Sequence, residues 1–299
     1  MAKRKKKGPV NEKVAARRAA RKAAAAQAGN PTPRRSFEGL PGEADWVALR
    51  EVVPAATAQV HTTAEYGDRD VTIATVLPGM IPAMRREDGA ILLALQTVTS
   101  SGDPSRDLAA ALEQMLEAEP GTSLNHLDLP GPGPRLQDML VLDRPFEVTV
   151  HESFDFVVPA DTEPTPELTA ALEEFSGAIV PTVKLESVPS AYWCRMGARE
   201  FLRWSRVEEE ESLLDALARL RAAGTSALDE GSKFIGAFRS CGLVIPVWEL
   251  APSTEAEELE GPAPAFAERL AEALAITDPL NADERRARAG IVSRQVTLR

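Results

Sequence analysis

The sequence predicts an α+β fold, with antiparallel strands covered by helices behind a basic N-terminal arm expected to be disordered. Three observations predict it. Residues 192–196 and 201–205 are two short aromatic and apolar runs that meet at Gly197, a residue free to take the positive φ of a tight turn. After the acidic run Glu208 to Glu211, the residues Leu213, Leu214, Leu217 and Leu220 recur at helical spacing, and Gly224 supplies a stop. Finally, charge is segregated: residues 1–35 hold 12 Lys/Arg against one acid, Glu12, and the remainder holds 22 against 44.

Taken in order, the chain opens on Lys3, Arg4, Lys5, Lys6 and Lys7, followed by Lys13, Arg17, Arg18, Arg21 and Lys22 within an Ala-rich segment. Helix propensity is high there, but like charges four residues apart repel and no bulky apolar face is available to pack. The expectation is a disordered arm over 1–35 that becomes helical when an anion neutralises it. Structure proper begins near Phe37, with a short helix over 45–53 that Pro54 stops. Residues 58–63 and 71–76 read as the first strands, joined around Gly67 and Asp68. Residues 91–95 form an apolar run ahead of a helical stripe of Leu108, Leu112, Met115 and Leu116. The Pro/Gly-rich stretch 129–134 divides an N-terminal half, 36–130, from a C-terminal half, 131–280.

In the second half, Phe146, Val148 and Val150 alternate with polar residues, as do Phe154, Phe156 and Val158. Thr165 and Pro166 then open a stripe of Leu168, Leu172 and Phe175. Leu243, Ile245 and Val247 alternate ahead of Phe266, Leu270 and Leu274. Pro246 demotes its strand to a sheet edge. Residues 254–260 read as an exposed acidic loop and 281–299 as a polar tail. The strand–strand–helix phrase thus recurs at uneven intervals of roughly 45 to 60 residues, unlike a solenoid of fixed period. Duplicated modules explain the recurrence; so does chance in any antiparallel α+β chain.

The stretch from Ser36-Phe37-Glu38-Gly39-Leu40-Pro41-Gly42 through Asp45-Trp46 and Pro54 to Ala58 resembles the opening of an uncharacterised actinobacterial domain-of-unknown-function family. Residues 192–206 and the run Gly242-Leu243-Val244-Ile245-Pro246-Val247-Trp248 are similar to it too, so the resemblance covers 36–275. Members are sometimes labelled topoisomerase-like or preprotein translocase SecA-like. The second label rests on a cysteine-rich zinc motif ahead of the body, and this chain has no cysteine before Cys194. The first is unsupported by Tyr66 and Tyr192 without a glycine-rich ATP site. The resemblance implies no catalytic residues.

The composition excludes several classes. At 44% hydrophobic and 26% charged, with no apolar run approaching the roughly 20 residues of a membrane span, the chain reads as soluble, cytoplasmic and off the membrane. Cys194 and Cys241 make neither a disulfide framework nor a four-cysteine zinc site, and read as small buried hydrophobes. His61, His126 and His151 lack ligand spacing, so no metal is implied. His151-Glu152 lacks a second histidine. Gly231-Ser232-Lys233 misses the phosphate-loop spacing, so no cofactor is implied either.

Two features have binding chemistry. The basic arm displaces counterions from phosphates, which fits RNA, DNA or the ribosome; its bland alternative is a solubilising tail. A secondary patch interleaves Trp193 and Trp204 with Arg195, Arg199 and Arg203, as single-stranded nucleic acid requires. The competing reading buries the aromatics and turns the arginines to solvent. The expectation is a non-enzymatic adaptor whose acidic body meets a protein partner. An enzyme with a site between the halves, marked by a deep pocket gathering Asp, Glu or His from both, is the alternative, and a protein–protein interaction module is the third.

Overall fold

A computed structural model describes residues 32–159 and 165–294 of the chain. The arm cations from Lys3 to Lys22 lie outside the described residues. The fold is α+β: two mostly antiparallel sheets and seven α-helices among the described residues.

Helix α1 (Glu43–Glu51) leads into β1 (Ala56–His61) and β2 (Asp70–Ala74), an antiparallel pair that turns at Gly67 as its sequence predicts. Strands β3 (Ala83–Arg85) and β4 (Ile91–Ala94) form the next hairpin, and α2 (Pro104–Glu117) returns across them. Strand β5 (Ser123–Leu124), the short α3 (Leu136–Met139) and β6 (Val148–Val150) complete the first unit. Its six strands run β5-β3-β4-β2-β1-β6, with β2 and β4 the parallel pair. Helix α4 (Pro166–Ser176) then leads to β7 (Thr182–Lys184), β8 (Ala191–Met196) and β9 (Arg199–Trp204). Helix α5 (Glu210–Ala222) follows, then β10 (Lys233–Ser240), β11 (Leu243–Glu249), α6 (Pro262–Leu274) and α7 (Ala282–Arg294). The second sheet runs β10-β11-β9-β8-β7.

The hairpin turning at Gly197, with α5 behind it, forms as the residues predict. The phrase returns in β10-β11-α6 and in β3-β4-α2. At Phe154 and Phe156 it fails: residues Asp155–Val157 make a 3-10 turn, not a strand. Phe154 instead packs edge-on against Phe175 of α4, with centroids 4.9 Å apart.

Alternation explains why the second sheet is buried on both faces. Leu243, Ile245 and Val247 of β11 join a core shared with α1, α2 and the first sheet, whereas Val244 and Trp248 pack under α5 and α6. Helix α1 belongs wholly to the shared core, where Trp46 is stacked between Phe37 and Phe146. A third cluster, with Leu77, Leu92 and Leu172, closes the outer face of the first sheet.

Four expectations are corrected. Strand β11 is interior, not an edge. Its ladder to β9 covers Val247 to Glu249 and resumes only as a bridge from Val244 to Arg206, so Pro246 stands where no amide is required. The sheets do not part at 129–134, because β6 beyond that break joins β1. Within the polar tail residues 282–294 form α7, anchored by Ile291, which is fully buried. Residues 254–260 are not an exposed loop: Ala256 and Leu259 are buried under a 3-10 turn.

Candidate functional site

The seam where the two sheets meet holds a concave feature whose lining comes from both. Strand β6 ends one sheet and β7 ends the other, and they run beside each other. Between them lies an open groove of about 710 Å³ lined by Val148, Val150, His151 and Glu152 on one side and residues 182–189 on the other. That volume falls within the range of about 300–1,000 Å³ usual for ligand clefts.

Behind the groove, a polar network ties the seam. The Tyr192 hydroxyl donates to Asp45 Oδ1 at 2.7 Å, and Lys184 Nζ donates to Asp45 Oδ2 at 3.1 Å. Asp45 and Tyr192 are buried, and burial, then the Asp45 charge, pushes the Tyr192 phenol far up. His151 lies 2.8 Å from Thr57 Oγ1 through Nε2 and stacks near Phe156; burial holds its pKa below the ordinary value, so the ring is neutral at pH 7. At the far end, Glu260 accepts from the amides of Glu186 and Ser187, at 2.9 and 2.8 Å. Lys184 is thus joined through Asp45 to Tyr192, and His151 to Thr57.

The secondary patch does not assemble as a stacking platform. Trp193 and Trp204 are 3% and 1% exposed. Each spends its indole N–H internally, Trp193 on Thr254 O and Trp204 on Pro189 O, both at 2.9 Å. Arg195 lies over Trp193 and pairs with Glu200 and Glu255. Arg199 lies 3.6 Å from Glu249, and Arg203 donates to Met196 Sδ. The aromatics face inward because strand alternation puts them on core faces.

The acidic run is the feature that sequence reasoning undervalued. It is a helix start, as expected: the Glu209 carboxylate accepts from the amides of Glu211 and Ser212 at 2.7 and 3.1 Å. It also gathers arginines from four separate elements. Arg206 pairs with Glu208, Arg239 with Glu210 and Arg288 with Glu211, and Arg34 reaches both Glu209 and Glu210. Arg35 meanwhile donates to Glu43 through Nε at 2.8 Å. Here the chain presses against the body: a Cβ on Gly242, whose φ is 82, would sit 2.1 Å from Arg34 O, so only glycine fits. The root of the basic arm is therefore fixed to the acidic domain by Arg34 and Arg35.

Both thiols are closed chemistry, since burial raises the pKa of Cys194 and of Cys241. Ser232 Oγ accepts from the Leu228 and Asp229 amides, so the Gly231-Ser232-Lys233 stretch is a turn and not a phosphate cradle. No group of His, Cys, Asp and Glu able to hold a metal occurs among the described residues. Nor is any described helix long and apolar enough to cross a membrane.

These features define a two-sheet α+β protein whose basic leader is rooted on an acidic body, with a groove along its seam. The sequence model of the family of unknown function DUF5926 matches residues 36–299, and the chain belongs to that family. No curated protein and no solved structure matches it.

Proposed function

We propose that the protein is a non-enzymatic cytoplasmic adaptor. The arm cations Lys3 to Lys7, Lys13, Arg17, Arg18, Arg21 and Lys22 grip a polyanion, either RNA, free or in the ribosome, or DNA, and the acidic body meets a protein partner. The partition of charge carries the reading. Ten Lys/Arg precede Pro31 against the single acid Glu12. The arginines of the body are instead engaged with its own carboxylates, as at Arg195, Arg206 and Arg288. Cations concentrated in a stretch with a single acid suit phosphates, whose neutralisation releases condensed counterions.

Filter binding of single-stranded RNA by the full chain and by a variant lacking residues 1–31 tests it. That cut keeps Arg34 and Arg35, which pair with Glu209, Glu210 and Glu43 of the body. The account expects the full chain to bind and the variant to lose at least tenfold in affinity; equal binding by the two refutes it.

A further inference from the structure

The backbone register at the seam leaves two unpaired strand edges side by side. In the β1–β6 pair the His151 amide donates to Ala55 O at 2.9 Å, which turns residues 149 and 151 toward β1 and leaves the amides and carbonyls of Val148 and Val150 directed away from it. In the β7–β8 pair, Leu185 N donates to Ala191 O and Arg195 N to Pro181 O, which turns residues 181, 183 and 185 toward β8 and Thr182 and Lys184 outward. Cα atoms of β6 and β7 come within 8 Å of one another. Two strand spacings need about 9.5 Å, so no third strand fits between them. Direct pairing needs Cα separations of about 4.5–5.5 Å, which a movement of about 3 Å or less supplies. Yet no ladder or bridge joins β6 to β7 among the described residues.

Opposed forces act across this gap. Val148, Val150, Thr182 and Lys184 are half-buried, and backbone groups withdrawn from water gain by finding partners. The nearest partners are those of the facing edge. Against pairing, Glu152 and Glu186 are exposed just beyond the ends of the two strands and line one groove, so narrowing it brings like charges together. The one lysine of the lining, Lys184, is offset by Asp45, and its one histidine, His151, is neutral at pH 7. Neither cancels that repulsion.

We infer that the seam is a closable joint. In a second form of the free protein β6 and β7 pair edge to edge, the outward groups of Val148 and Val150 bonding those of Thr182 and Lys184. The six-stranded and five-stranded sheets then become one sheet of eleven, ordered β5-β3-β4-β2-β1-β6-β7-β8-β9-β11-β10. Pairing narrows the groove, so an occupant of the groove binds the open form alone and shifts the population toward it. The joint thus gives the body two forms between which a bound partner selects. It makes no use of the basic arm, and it stands or falls separately from RNA binding.

NMR relaxation dispersion of amide and methyl groups in the full chain tests it. Exchange on the microsecond-to-millisecond scale is expected at Val148, Val150, Thr182, Val183 and Lys184, with one rate and one population shared by the two strands. A Glu152→Gln, Glu186→Gln variant should raise the closed population at least threefold; both glutamates are exposed, so the substitution leaves the core intact. Thr182→Pro removes one outward amide while sparing the ladder to β8, and should lower the closed population at least threefold on both strands at once. Should the proline variant not fold, the glutamine variant decides alone. The proposal is overturned by absent exchange, by exchange confined to one strand or by different rates for the two. It is overturned equally by a closed population that the glutamine variant leaves unmoved, or by exchange that survives Thr182→Pro unchanged.

Discussion

Tyr192 and Asp45, 147 positions apart, meet inside the seam with the phenol hydroxyl donating to the carboxylate at 2.7 Å. The bond joins α1 to β8 and so ties the first unit to the second sheet. Removing the hydroxyl leaves one carboxylate oxygen of Asp45 buried without its donor. Tyr192→Phe should lower the unfolding free energy by about 1–3 kcal/mol, read from urea midpoints at constant slope. No change in midpoint would show the bond to be dispensable.

Alkaline titration reads the same bond. The Tyr192 pKa is raised in the folded state, so the stability it lends is complete below the unfolded phenol value near 10 and is lost as pH climbs above it. Phenolate absorbance from Tyr192 should therefore appear only as the protein unfolds. The Tyr192→Phe variant should lose that unfolding-linked component and keep that of Tyr66.

His61 is the second pH-sensitive point. Its Nδ1 lies 2.7 Å from Asp70 and its Nε2 2.9 Å from Asp68, and these hydrogen bonds raise its pKa, Asp70 first, against burial and Arg144. The stabilisation is full below the unfolded value of about 6.5 and fades as pH rises through the folded value. NMR titration should place the ring above its ordinary midpoint, and Asp70→Asn should bring the midpoint down further than Asp68→Asn.

Helix α7 should answer to one apolar anchor. Ile291 is fully buried among α5–α7 residues, while Arg288 pairs with Asp215 at 2.6 Å. Ile291→Ala should cost about 2–5 kcal/mol and Ile291→Val about 0.5–1.5. Hydrogen exchange should show α7 losing protection first. An unaffected midpoint would contradict its place in the core.

Neither thiol should react with an aromatic disulfide reagent at pH 8 in the folded protein, and both should react after unfolding, because burial raises the pKa of each. Fast labelling of Cys194 in the native state would contradict its burial.

Much of the architecture was legible where a local period and a turn agree. Residues 192–196 and 201–205 are aromatic and apolar runs about Gly197, and Leu213 to Leu220 keep a helical stripe, so hairpin and helix follow from neighbours alone. The same logic misled at Phe154 and Phe156, because alternate aromatics can fold onto a core from a 3-10 turn as readily as from a strand. Helix α7 was hidden because its face is built from arginines with a single buried isoleucine. The seam was not legible at all. Asp45, Lys184 and Tyr192 carry no spacing signal, and the groove depends on which strands end their sheets, a property of topology. The acidic run was visible, but the arginines that converge on it come from elements up to 176 positions apart, as Arg34 and Glu210 do.

The slope of log affinity against log salt for single-stranded RNA tests the central claim most directly. Each phosphate contact contributes about −0.7 to that slope. The full chain should show a steep negative slope that becomes shallower when Lys3 to Lys7 are replaced by glutamine and vanishes with binding when residues 1–31 are removed. A flat slope, or one unchanged by those substitutions, would contradict the account.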